Sequence, residues 1–324
     1  MNILVVGGAG YIGSHMIKKL TLEGNSVVIL DNLSTGFRDA VKYGRFIEGD
    51  IADSKLLSEI FSSNKFDSVM HFASYIEVGE SVSDPSKYYI NNFSNTLNLL
   101  DAMVAHGVNN FIFSSTAAIF GEPEYSPIDE KHVRAAVNPY GESKLMVENA
   151  LKAYEKAYGL RSICLRYFNA AGADPDLEVG ERHDPESHLI PLVLQAASGR
   201  RDSIAVFGQN YNTPDGSCVR DYIHVDDLCT AHIDALNYVL SELGSKQFNL
   251  GNGNGFSVLE VIDVARRVTG RNIKIKDADQ REGDPAVLVA DSALAKQELN
   301  WEPRYDSLET IIEHAWCWEQ KHWS

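Results

Sequence analysis

The sequence predicts an α/β protein with a doubly wound parallel sheet, followed by a smaller C-terminal domain. Three features lead to this prediction. Short apolar runs rich in β-branched residues alternate with amphipathic helical stretches through the first two-thirds of the chain. A glycine-rich turn, "GGAG", directly follows the first apolar run. After about residue 169 the alternation gives way to turn-rich segments such as "GQNYNTPDGS".

The apolar runs are continuous, which is typical of parallel strands buried on both faces. We predict strands at 2–6, 26–30, 67–72, 110–115 and 162–167, and helices at 11–23, 86–106 and 139–158. Repeated strand–helix–strand units with right-handed crossovers build a Rossmann-type sheet, so residues 1–168 form the first domain. A helix at 225–241 and a strand at 247–250 are expected to return to this sheet within the segment 218–250. Residues 169–324 otherwise form the second domain.

The composition excludes several classes of function. The chain has 324 residues, of which 44% are hydrophobic and 23% are charged. No apolar run reaches the roughly 18 residues of a membrane-spanning helix, and the N-terminus lacks the features of a secretory signal. A formal net charge of −16 argues against sequence-independent binding of nucleic acid. We therefore expect a cytoplasmic protein with no membrane or nucleic-acid partner.

The cysteine and histidine patterns predict no metal site. No group of His, Cys and carboxylate residues has the spacing of a metal centre. The cysteines form no C-x-x-C pair and are expected to be reduced core residues: Cys164, Cys218, Cys229 and Cys317. His71 is expected to pack behind a strand end, and "HVDD", from His224 to Asp227, to cap a helix.

The first motif with chemical meaning is "VVGGAGYIGSH". Gly7, Gly10 and Gly13 follow a strand and open a helix, where glycine lets the backbone approach a pyrophosphate and the helix N-terminus favours the anion. Asp31 ends the second strand 18 residues beyond Gly13. A carboxylate there accepts hydrogen bonds from an adenosine ribose and repels a 2′-phosphate, which predicts NAD in preference to NADP. The alternative for Asp31 is a turn residue, and Asp50 fits either an adenine contact or a helix N-cap.

The second motif is "NPYGESKLMVE", which contains Tyr140 and Lys144 at helical spacing. A free phenol has a pKa near ~10. A nearby ammonium, together with the positive nicotinamide of oxidised NAD, favours the phenolate, which then accepts a proton from a substrate hydroxyl. Thr116 lies 24 residues before Tyr140, at a strand end where such folds bind ligands. The alternative is an exposed Tyr/Lys pair on a helix surface.

With these motifs the chain resembles the extended short-chain dehydrogenase/reductase family, and within it the UDP-hexose 4-epimerase branch. The resemblance runs nearly end to end. Its most specific marks are "LRYFN", "RDYIHV" and "REGD".

The resemblance implies three sets of site residues. The implied catalytic set is Thr116, Tyr140 and Lys144. The implied NAD contacts are Gly7, Gly10, Tyr11, Ile12, Gly13, Asp31, Asn32, Asp50, Ile51, Phe72, Ala73, Asn91, Ser114, Tyr140, Lys144 and Tyr167. The implied contacts of the nucleotide-sugar are Thr116, Tyr140, Asn169, Leu189, Val206, Phe207, Arg220, Arg281, Asp284 and Leu288.

The implied activity is inversion of C4 in a UDP-hexose through a 4-keto intermediate. Tyr140 takes the proton of the 4-hydroxyl while hydride leaves C4 for NAD⁺, the ketose rotates, and hydride returns to its other face. UDP-glucose and UDP-galactose are the main implied pair. Leu288 stands where a bulky tyrosine crowds a 2-acetamido group in some members, so the N-acetylated pair is a second expectation. The resemblance also implies a homodimer through the helices at 86–106 and 139–158, whose apolar faces fit intrachain packing equally well.

The C-terminal assignments also have a physical basis. The arginine fork suits the oxygens of a diphosphate, which favours Arg220 and Arg281, although either fits a surface ion pair. Asp284 fits a ribose contact or a turn cap. Two positions depart from the family pattern. Ile76 replaces a lysine that contacts the cofactor in some members, so the resemblance leaves the tightness of NAD binding open, and Phe120 replaces a frequent tyrosine.

Three alternative functions share this fold. A 4,6-dehydratase or decarboxylase has the same glycines and Y-x-x-x-K, but a dehydratase carries acidic residues after the catalytic Thr, where this chain has Ala117 and Ala118. A net NAD-linked dehydrogenase would consume external NADH. A non-catalytic NAD-binding regulatory module is also compatible with the fold, but such modules usually lose the tyrosine and lysine.

Overall fold

The computed structural model describes residues 1–281 and 284–323, which form two compact units. The first unit comprises Met1–Gly121, Val133–Arg166 and Ala231–Phe248, and the second comprises Glu122–His132, Tyr167–Thr230 and the chain from Asn249 onwards. The strands are β1 (Asn2–Val6), β2 (Ser26–Asp31), β3 (Arg45–Glu48), β4 (Ser68–His71), β5 (Asn110–Thr116), β6 (Arg161–Tyr167), β7 (Asn169–Ala171), β8 (Ile204–Phe207), β9 (Val219–His224), β10 (Lys246–Leu250), β11 (Gly255–Ser257), β12 (Ile275–Ala278) and β13 (Val287–Leu288). The helices are α1 (Tyr11–Leu22), α2 (Ser54–Ser63), α3 (Val78–Ser83), α4 (Pro85–Tyr88), α5 (Asn95–Ala105), α6 (Pro139–Tyr158), α7 (Leu189–Ser198), α8 (Val225–Leu240), α9 (Val258–Thr269), α10 (Ala293–Glu298) and α11 (Leu308–Trp323).

A seven-stranded sheet with the order β3-β2-β1-β4-β5-β6-β10 carries the candidate site residues of the first unit. β1 pairs in parallel with both β2 and β4, so Val6 lies between Leu30 and His71. The chain reverses its direction of travel across the sheet at β1 and β4, and in doubly wound sheets ligands bind beyond the carboxyl ends of the strands at such a point. The predicted α/β, doubly wound parallel sheet is confirmed.

The core of the first unit follows from the apolar runs. Leu4, Val69 and Phe111 from three adjacent strands lie in one buried cluster with Leu100 of α5 and Val147 of α6. These strands have no polar face because helices cover both sides of the sheet. The predicted strands agree with the structure to within a residue or so at each end.

The helix predicted at 86–106 is instead three segments. Between α4 and α5 the backbone forms a π-helical stretch, Tyr89–Ser94. Asn92 in this stretch accepts a hydrogen bond from Tyr75 N (2.9 Å) and donates one to Tyr75 O (3.0 Å). These tertiary hydrogen bonds stabilise a wider turn that the apolar periodicity does not reveal. Such π-helical turns frequently occur at functional sites.

The second unit contains a small sheet centred on β9, which pairs in parallel with β7 and β13 and antiparallel with β11. A separate parallel pair joins β8 and β12. The helices α7, α9 and α11 contribute Val193, Ile262 and Ile311 to a buried cluster. Among residues 1–281 and 284–323, no helix is long and apolar enough to span a membrane.

Candidate active site

Thr116 and Tyr140 lie together because β5 ends where α6 begins. Thr116 is the last residue of β5, and Tyr140 lies in the first turn of α6. Asn138 caps this helix by accepting a hydrogen bond from Gly141 N (2.9 Å), and Pro139 occupies its first position. The Thr116 hydroxyl lies close enough to the Tyr140 phenol to lower its pKa. The structure therefore brings two of the three predicted catalytic residues next to each other.

Lys144 lies one turn further along α6 and is buried. Its Nζ donates to Ser114 O at 2.9 Å and lies 5.0 Å from the centre of the Phe113 ring. Both partners belong to β5, the strand that carries Thr116. The lysine is thus oriented by the strand end rather than exposed on a helix surface, so the alternative of an exposed Tyr/Lys pair is wrong.

Glycine allows this close approach of helix and strand end. After Thr116 the backbone forms a 3-10 turn, Ala117–Phe120, in which Ala118 N donates to Thr116 Oγ1 (3.1 Å). A Cβ on Gly141 would lie 2.9 Å from the Ala118 carbonyl carbon, which is closer than side chains can approach. Residue 141 therefore has no room for a side chain.

Burial controls the electrostatics of the pair. It raises the pKa of Tyr140, an effect that the hydrogen bond from Thr116 opposes, and it lowers the pKa of Lys144 to about 7. From the sequence, Lys144 and the nicotinamide together are expected to lower the pKa of the phenol. The protein residues by themselves raise it, because burial outweighs the effect of Thr116.

A buried ion pair behind the catalytic strand escaped the sequence analysis. The Glu148 carboxylate of α6 accepts two hydrogen bonds from Arg166 of β6, at 2.9 and 2.7 Å, and one from the Ser115 hydroxyl of β5 at 2.7 Å. The exposed fractions of the Arg166 and Glu148 side chains are 1% and 0%. The ion pair joins α6, β5 and β6 directly behind Thr116. A glutamate within a helix and an arginine at a strand end look solvent-exposed in sequence, so neither signals this role.

The glycine-rich turn fits a pyrophosphate. Gly10, which has no side chain, occupies the N-cap of α1, so the helix N-terminus is accessible to an anion. Gly7 has a φ of +81°, and a Cβ there would lie 2.7 Å from Ala73 Cα. A Cβ on Gly13 would lie 2.8 Å from Gly8 Cα. A side chain at either position would therefore collide with neighbouring backbone, which explains why the turn needs glycine there.

Asp31 is the turn residue that the sequence allows as an alternative, and its position at the end of β2 leaves the ribose contact a prediction. Its Oδ1 accepts a hydrogen bond from Leu33 N (2.8 Å), as in an Asx turn, and its Oδ2 accepts one from Ala9 N (2.8 Å) in the glycine-rich turn. Burial raises the pKa of this carboxyl, and the two backbone hydrogen bonds oppose that shift. The carboxylate thus lies at the strand end where a ribose is expected, and it also holds the glycine-rich turn.

Asn32 and Asp50, which follow β2 and β3, form a second small network. Asn32 Nδ2 donates to Asp50 Oδ2 (2.7 Å), and Ala52 N donates to Asp50 Oδ1 (2.8 Å). Asp53 caps α2, accepting from the backbone N–H groups of residues 55 and 56. Asp50 is therefore not the helix N-cap that the sequence allowed. The side chain of the neighbouring Ile51 is buried in the core of the first unit.

The other residues that the resemblance assigns to NAD lie after β4, in the π-helical stretch, in α1 and at the end of β6. Phe72 follows β4, with its ring centre 4.9 Å from that of His232. Asn91 lies in the π-helical stretch and donates to Asn92 Oδ1 (2.9 Å). Tyr11 and Ile12 lie in the first turn of α1, and Tyr167 is the last residue of β6.

His71 and Phe120 are packing residues. His71 Nε2 lies 3.0 Å from Thr96 Oγ1, and burial lowers the pKa of the imidazole to about 3, which confirms the prediction of a packed residue. The ring of Phe120 is fully buried with the Arg166 guanidinium 5.6 Å from its centre.

In the second unit the β9 sheet brings together Asn169, Arg220 and Leu288. Asn169 of β7 donates to Asp221 O (2.9 Å), and Leu288 of β13 is the register partner of Arg220. Arg220 donates to Pro285 O (2.8 Å) and forms an ion pair with Asp284. Arg220 and Asp284 were predicted separately, and their ion pair favours a shared role.

Arg281 and Phe207 form a second contact, with the guanidinium carbon 3.8 Å from the centre of the ring. Val206, in contrast, lies in the hydrophobic core of the second unit. Its side chain is therefore not available to a ligand, and only its backbone remains as a contact. Leu189 is the first residue of α7 and is half-buried.

The "RDYIHV" segment organises this unit. Asp221 accepts hydrogen bonds from the backbone N–H groups of Asn252 (2.7 Å), Gly253 (3.0 Å) and Ala290 (3.0 Å), a role that the sequence analysis missed. His224 Nδ1 accepts a hydrogen bond from the backbone N–H of residue 226 in the first turn of α8 (3.0 Å), so "HVDD" does contribute to the start of the helix.

One cluster contradicts the sequence analysis, which finds no group of metal-ligand type. Glu181, His183, Glu186 and His188 each bring one ligand-type atom to within 4.8 Å of the others. All four come from one irregular loop before α7. Because this loop has neither helical nor strand periodicity, the sequence spacing of the four residues does not reveal that their side chains meet.

Comparisons with known proteins agree with this geometry. Residues 3–251 match the NAD dependent epimerase/dehydratase family. The chain is 52% identical to the UDP-glucose 4-epimerase of Halalkalibacterium halodurans over 99% of this chain and 96% of the relative. A solved UDP-glucose 4-epimerase from Brucella ovis, in complex with NAD, is 48% identical with a TM-score of 0.95, covering 98% of this chain and 97% of that one. The UDP-Glc/GlcNAc 4-epimerase from Campylobacter jejuni is 43% identical with a TM-score of 0.87 and covers 99% of each chain. The chain belongs to the NAD dependent epimerase/dehydratase family.

Proposed function

We propose that the chain inverts C4 of UDP-hexoses with bound NAD, interconverting UDP-glucose and UDP-galactose. The contact of Thr116 with Tyr140, beside the buried Lys144, carries this proposal. A phenol held by a threonine hydroxyl is suited to exchange a proton with a sugar hydroxyl. The similarity to UDP-glucose 4-epimerases over nearly the whole chain supports the same activity.

The residues of the first unit would hold NAD and the reacting hydroxyl. The turn around Gly7, Gly10 and Gly13 binds the pyrophosphate, and Asp31 binds the adenosine ribose. When bound, NAD would supply the hydride acceptor and donor for C4, which lets the configuration invert through a 4-keto sugar. Tyr140 takes the proton of the 4-hydroxyl and later gives it back, while Thr116 orients the same oxygen.

The residues of the second unit would hold the UDP group. Arg220 and Arg281 supply cations for the diphosphate, and Asp284 orients Arg220 through their ion pair. Asn169, Leu189 and Phe207 complete the contacts, with Val206 offering its backbone. Strong binding of the UDP group leaves the hexose free to rotate and to present its other face, as inversion through a ketose requires.

A dehydratase is less compatible with the strand end. Elimination of water across C5–C6 needs an acid or base beside the catalytic threonine. The next two residues are Ala117 and Ala118, whose methyl side chains cannot act as an acid or a base. The Ala118 carbonyl group also packs against Gly141, so that a side chain at residue 141 would collide with it.

We further propose that the N-acetylated sugars are a second substrate pair and that the protein is a cytoplasmic homodimer. Leu288, beside Arg220 in the sheet register, is smaller than the tyrosine that crowds a 2-acetamido group. The relative from Campylobacter jejuni, whose name includes GlcNAc, supports the wider specificity. The segments proposed for the dimer are 86–106 and 139–158.

The test uses purified protein without added cofactor. We expect bound NAD to be released on denaturation and UDP-galactose to be converted to UDP-glucose without external NADH. Protein that carries NAD but converts no UDP-hexose would contradict the proposed activity.

For the second pair, Leu288→Tyr should lower the ratio of kcat/KM for UDP-GalNAc to that for UDP-galactose about ten- to hundredfold, because overpacking a filled site costs ~1–3 kcal/mol. An unchanged ratio would show that Leu288 does not control access.

A further inference from the structure

The loop before α7 gathers two imidazoles and two carboxylates into one cluster. His188 Nδ1 lies 3.0 Å from Glu181 Oε1 and 3.1 Å from Glu186 Oε1. His183 Nδ1 lies 3.5 Å from an oxygen of each of the same carboxylates. Each histidine thus directs its Nδ1 at both glutamates.

These separations fit a tetrahedral metal centre. Ligands that lie about 2.0–2.2 Å from a zinc ion in tetrahedral geometry are about 3.3 Å from one another. The four nitrogen–oxygen separations, which involve Glu181 Oε1 and both oxygens of Glu186, run from 3.0 to 3.5 Å, and one ligand atom from each residue lies within 4.8 Å of the others, so a small inward movement of the side chains would complete the shell. Two carboxylates and two neutral imidazoles would also balance the charge of a divalent cation.

The burial of Glu181 is a second, independent observation. Its side chain is 6% exposed, and its Oε1 has both histidines as ion-pair neighbours (3.0 and 3.5 Å) but, within the described part of the chain, no well-aligned hydrogen bond. A buried carboxylate oxygen without a hydrogen bond is costly, and it normally has a partner or binds a metal. This oxygen points into the cluster, where it is the common neighbour of both histidines.

The surrounding structure holds the ligands in place. The Glu181 backbone carbonyl accepts a hydrogen bond from Trp318 Nε1 of α11 (3.1 Å). Glu186 Oε1 accepts hydrogen bonds from the backbone N–H groups of Ser187 and His188, both at 2.9 Å. Anchored backbone and second hydrogen bonds to the ligands are typical of built metal sites.

We propose that Glu181, His183, Glu186 and His188 form a site for one divalent transition-metal ion, and that Zn²⁺ is the preferred ion. Four protein ligands complete a tetrahedral shell, so the site is structural rather than catalytic. His188 is the N-cap of α7 and directly precedes Leu189, a proposed substrate contact. A bound ion would therefore rigidify the start of this helix.

The test uses untagged full-length protein, stripped with a chelator and reloaded with Zn²⁺ or Co²⁺. We expect one metal ion per chain by elemental analysis, and the intense visible absorption of tetrahedral Co²⁺. Glu181→Gln and His183→Asn should each weaken Zn²⁺ binding about 100-fold or more, as measured by competition with a chromogenic chelator. His322→Asn is the matched control, because His322 contacts Arg182 of the same loop (3.1 Å) but is not in the cluster, and its metal affinity should equal that of wild type.

Circular dichroism establishes that each variant is folded before its affinity is used. If one variant fails to fold, the other and the wild-type cobalt spectrum decide. Absence of stoichiometric metal in wild type, or equal affinity in wild type and both cluster variants, would overturn the site and leave the cluster as an ion-pair network. These readouts do not depend on epimerase activity, so they stand or fall separately from the proposed function.

Discussion

Lys144 is an amine that is nearly out of contact with water. Its Nζ has a backbone carbonyl as partner, Ser114 O at 2.9 Å, and burial lowers its pKa to about 7. Tyr140 is half-buried, and loss of water raises its pKa as well. Since each group loses hydration in its charged form, the pair is sensitive to any charge added close to it. The positive charge of an oxidised nicotinamide would act on both.

The first prediction concerns this pair. Tyr140→Phe should reduce kcat by ~10²–10⁴, the usual effect of losing a positioned base, while NAD stays bound. Lys144→Met should reduce the rate and move its pH optimum upward, because loss of the nearby cation raises the pKa of the phenol. The measurement is the pH profile of kcat with UDP-galactose. Tyr158→Phe and Lys156→Met, at exposed positions of the same helix, are the controls. A Tyr140→Phe protein within about tenfold of wild type would contradict the assignment.

The second prediction concerns Asp31. Asp31→Ala should weaken NAD binding and bring the affinities for NADP and NAD closer together, because the anion that repels a 2′-phosphate is gone. The alanine also removes the acceptor of Ala9 N and Leu33 N. Asp31→Asn is the control that removes the charge and keeps one acceptor oxygen. Titration of both dinucleotides should show a lower NADP-to-NAD ratio of dissociation constants in both variants. If wild type binds the two dinucleotides equally, the role given to the carboxylate is incorrect.

At the scale of elements, a buried ion pair helps to hold α6 in register with the sheet. Glu148 joins it to Arg166 of β6 and to Ser115 of β5, the residue before Thr116. The partners have almost no exposure to solvent, so their interaction is not screened by salt. The position of Tyr140 relative to Thr116 therefore depends on a network that lies behind the reacting groups.

The third prediction tests this network. Arg166→Met should lower the free energy of unfolding by about 3–5 kcal/mol, because it leaves the Glu148 carboxylate buried without its cation. Adding Glu148→Gln to that variant should recover part of the loss. Lys55→Ala is the control, since its ion pair with Glu59 is exposed, and it should cost less than about 1 kcal/mol. Denaturant titration gives the free energy of unfolding of wild type, Arg166→Met, the double variant and Lys55→Ala. A loss below about 1 kcal/mol in Arg166→Met would show that the pair does not hold the elements together.

At the scale of the whole molecule, the helices that the resemblance assigns to a dimer also build the core. Leu99, Leu100 and Met103 of α5 and Val147 and Leu151 of α6 are buried within the first unit. Most of the apolar periodicity of these helices is therefore used inside the chain. The apolar side chains left exposed on the proposed segments, such as those of Ile90 and Tyr158, are few.

The fourth prediction concerns assembly. We expect sedimentation equilibrium to give a mass of about twice 35.9 kDa at micromolar concentration. Because each chain has a formal charge of −16, added salt should screen repulsion between the subunits and tighten the dimer. Ile90→Glu should weaken it, whereas Val133→Glu, outside the proposed segments, should not. A single-chain mass at all salt concentrations would exclude the proposed dimer.

The sequence by itself determined the sheet, the glycine-rich turn, and the candidate pair of Tyr140 with Lys144. These features are local: a continuous apolar run makes a buried strand, a positive φ favours glycine, and residues four apart on a helix share a face. Asp31 was found for the same reason, since a strand end is visible in the sequence.

Only the tertiary structure decided which distant residues meet. The Glu148–Arg166 pair, the three backbone donors around Asp221 and the ion pair of Arg220 with Asp284 join segments that sequence spacing does not relate. The π-helical stretch around Asn92 depends on hydrogen bonds to Tyr75, and the raised pKa of Tyr140 depends on how much water the fold removes. Each of these is a long-range desolvation or pairing effect, whose energy depends on neighbours that chain folding alone brings together.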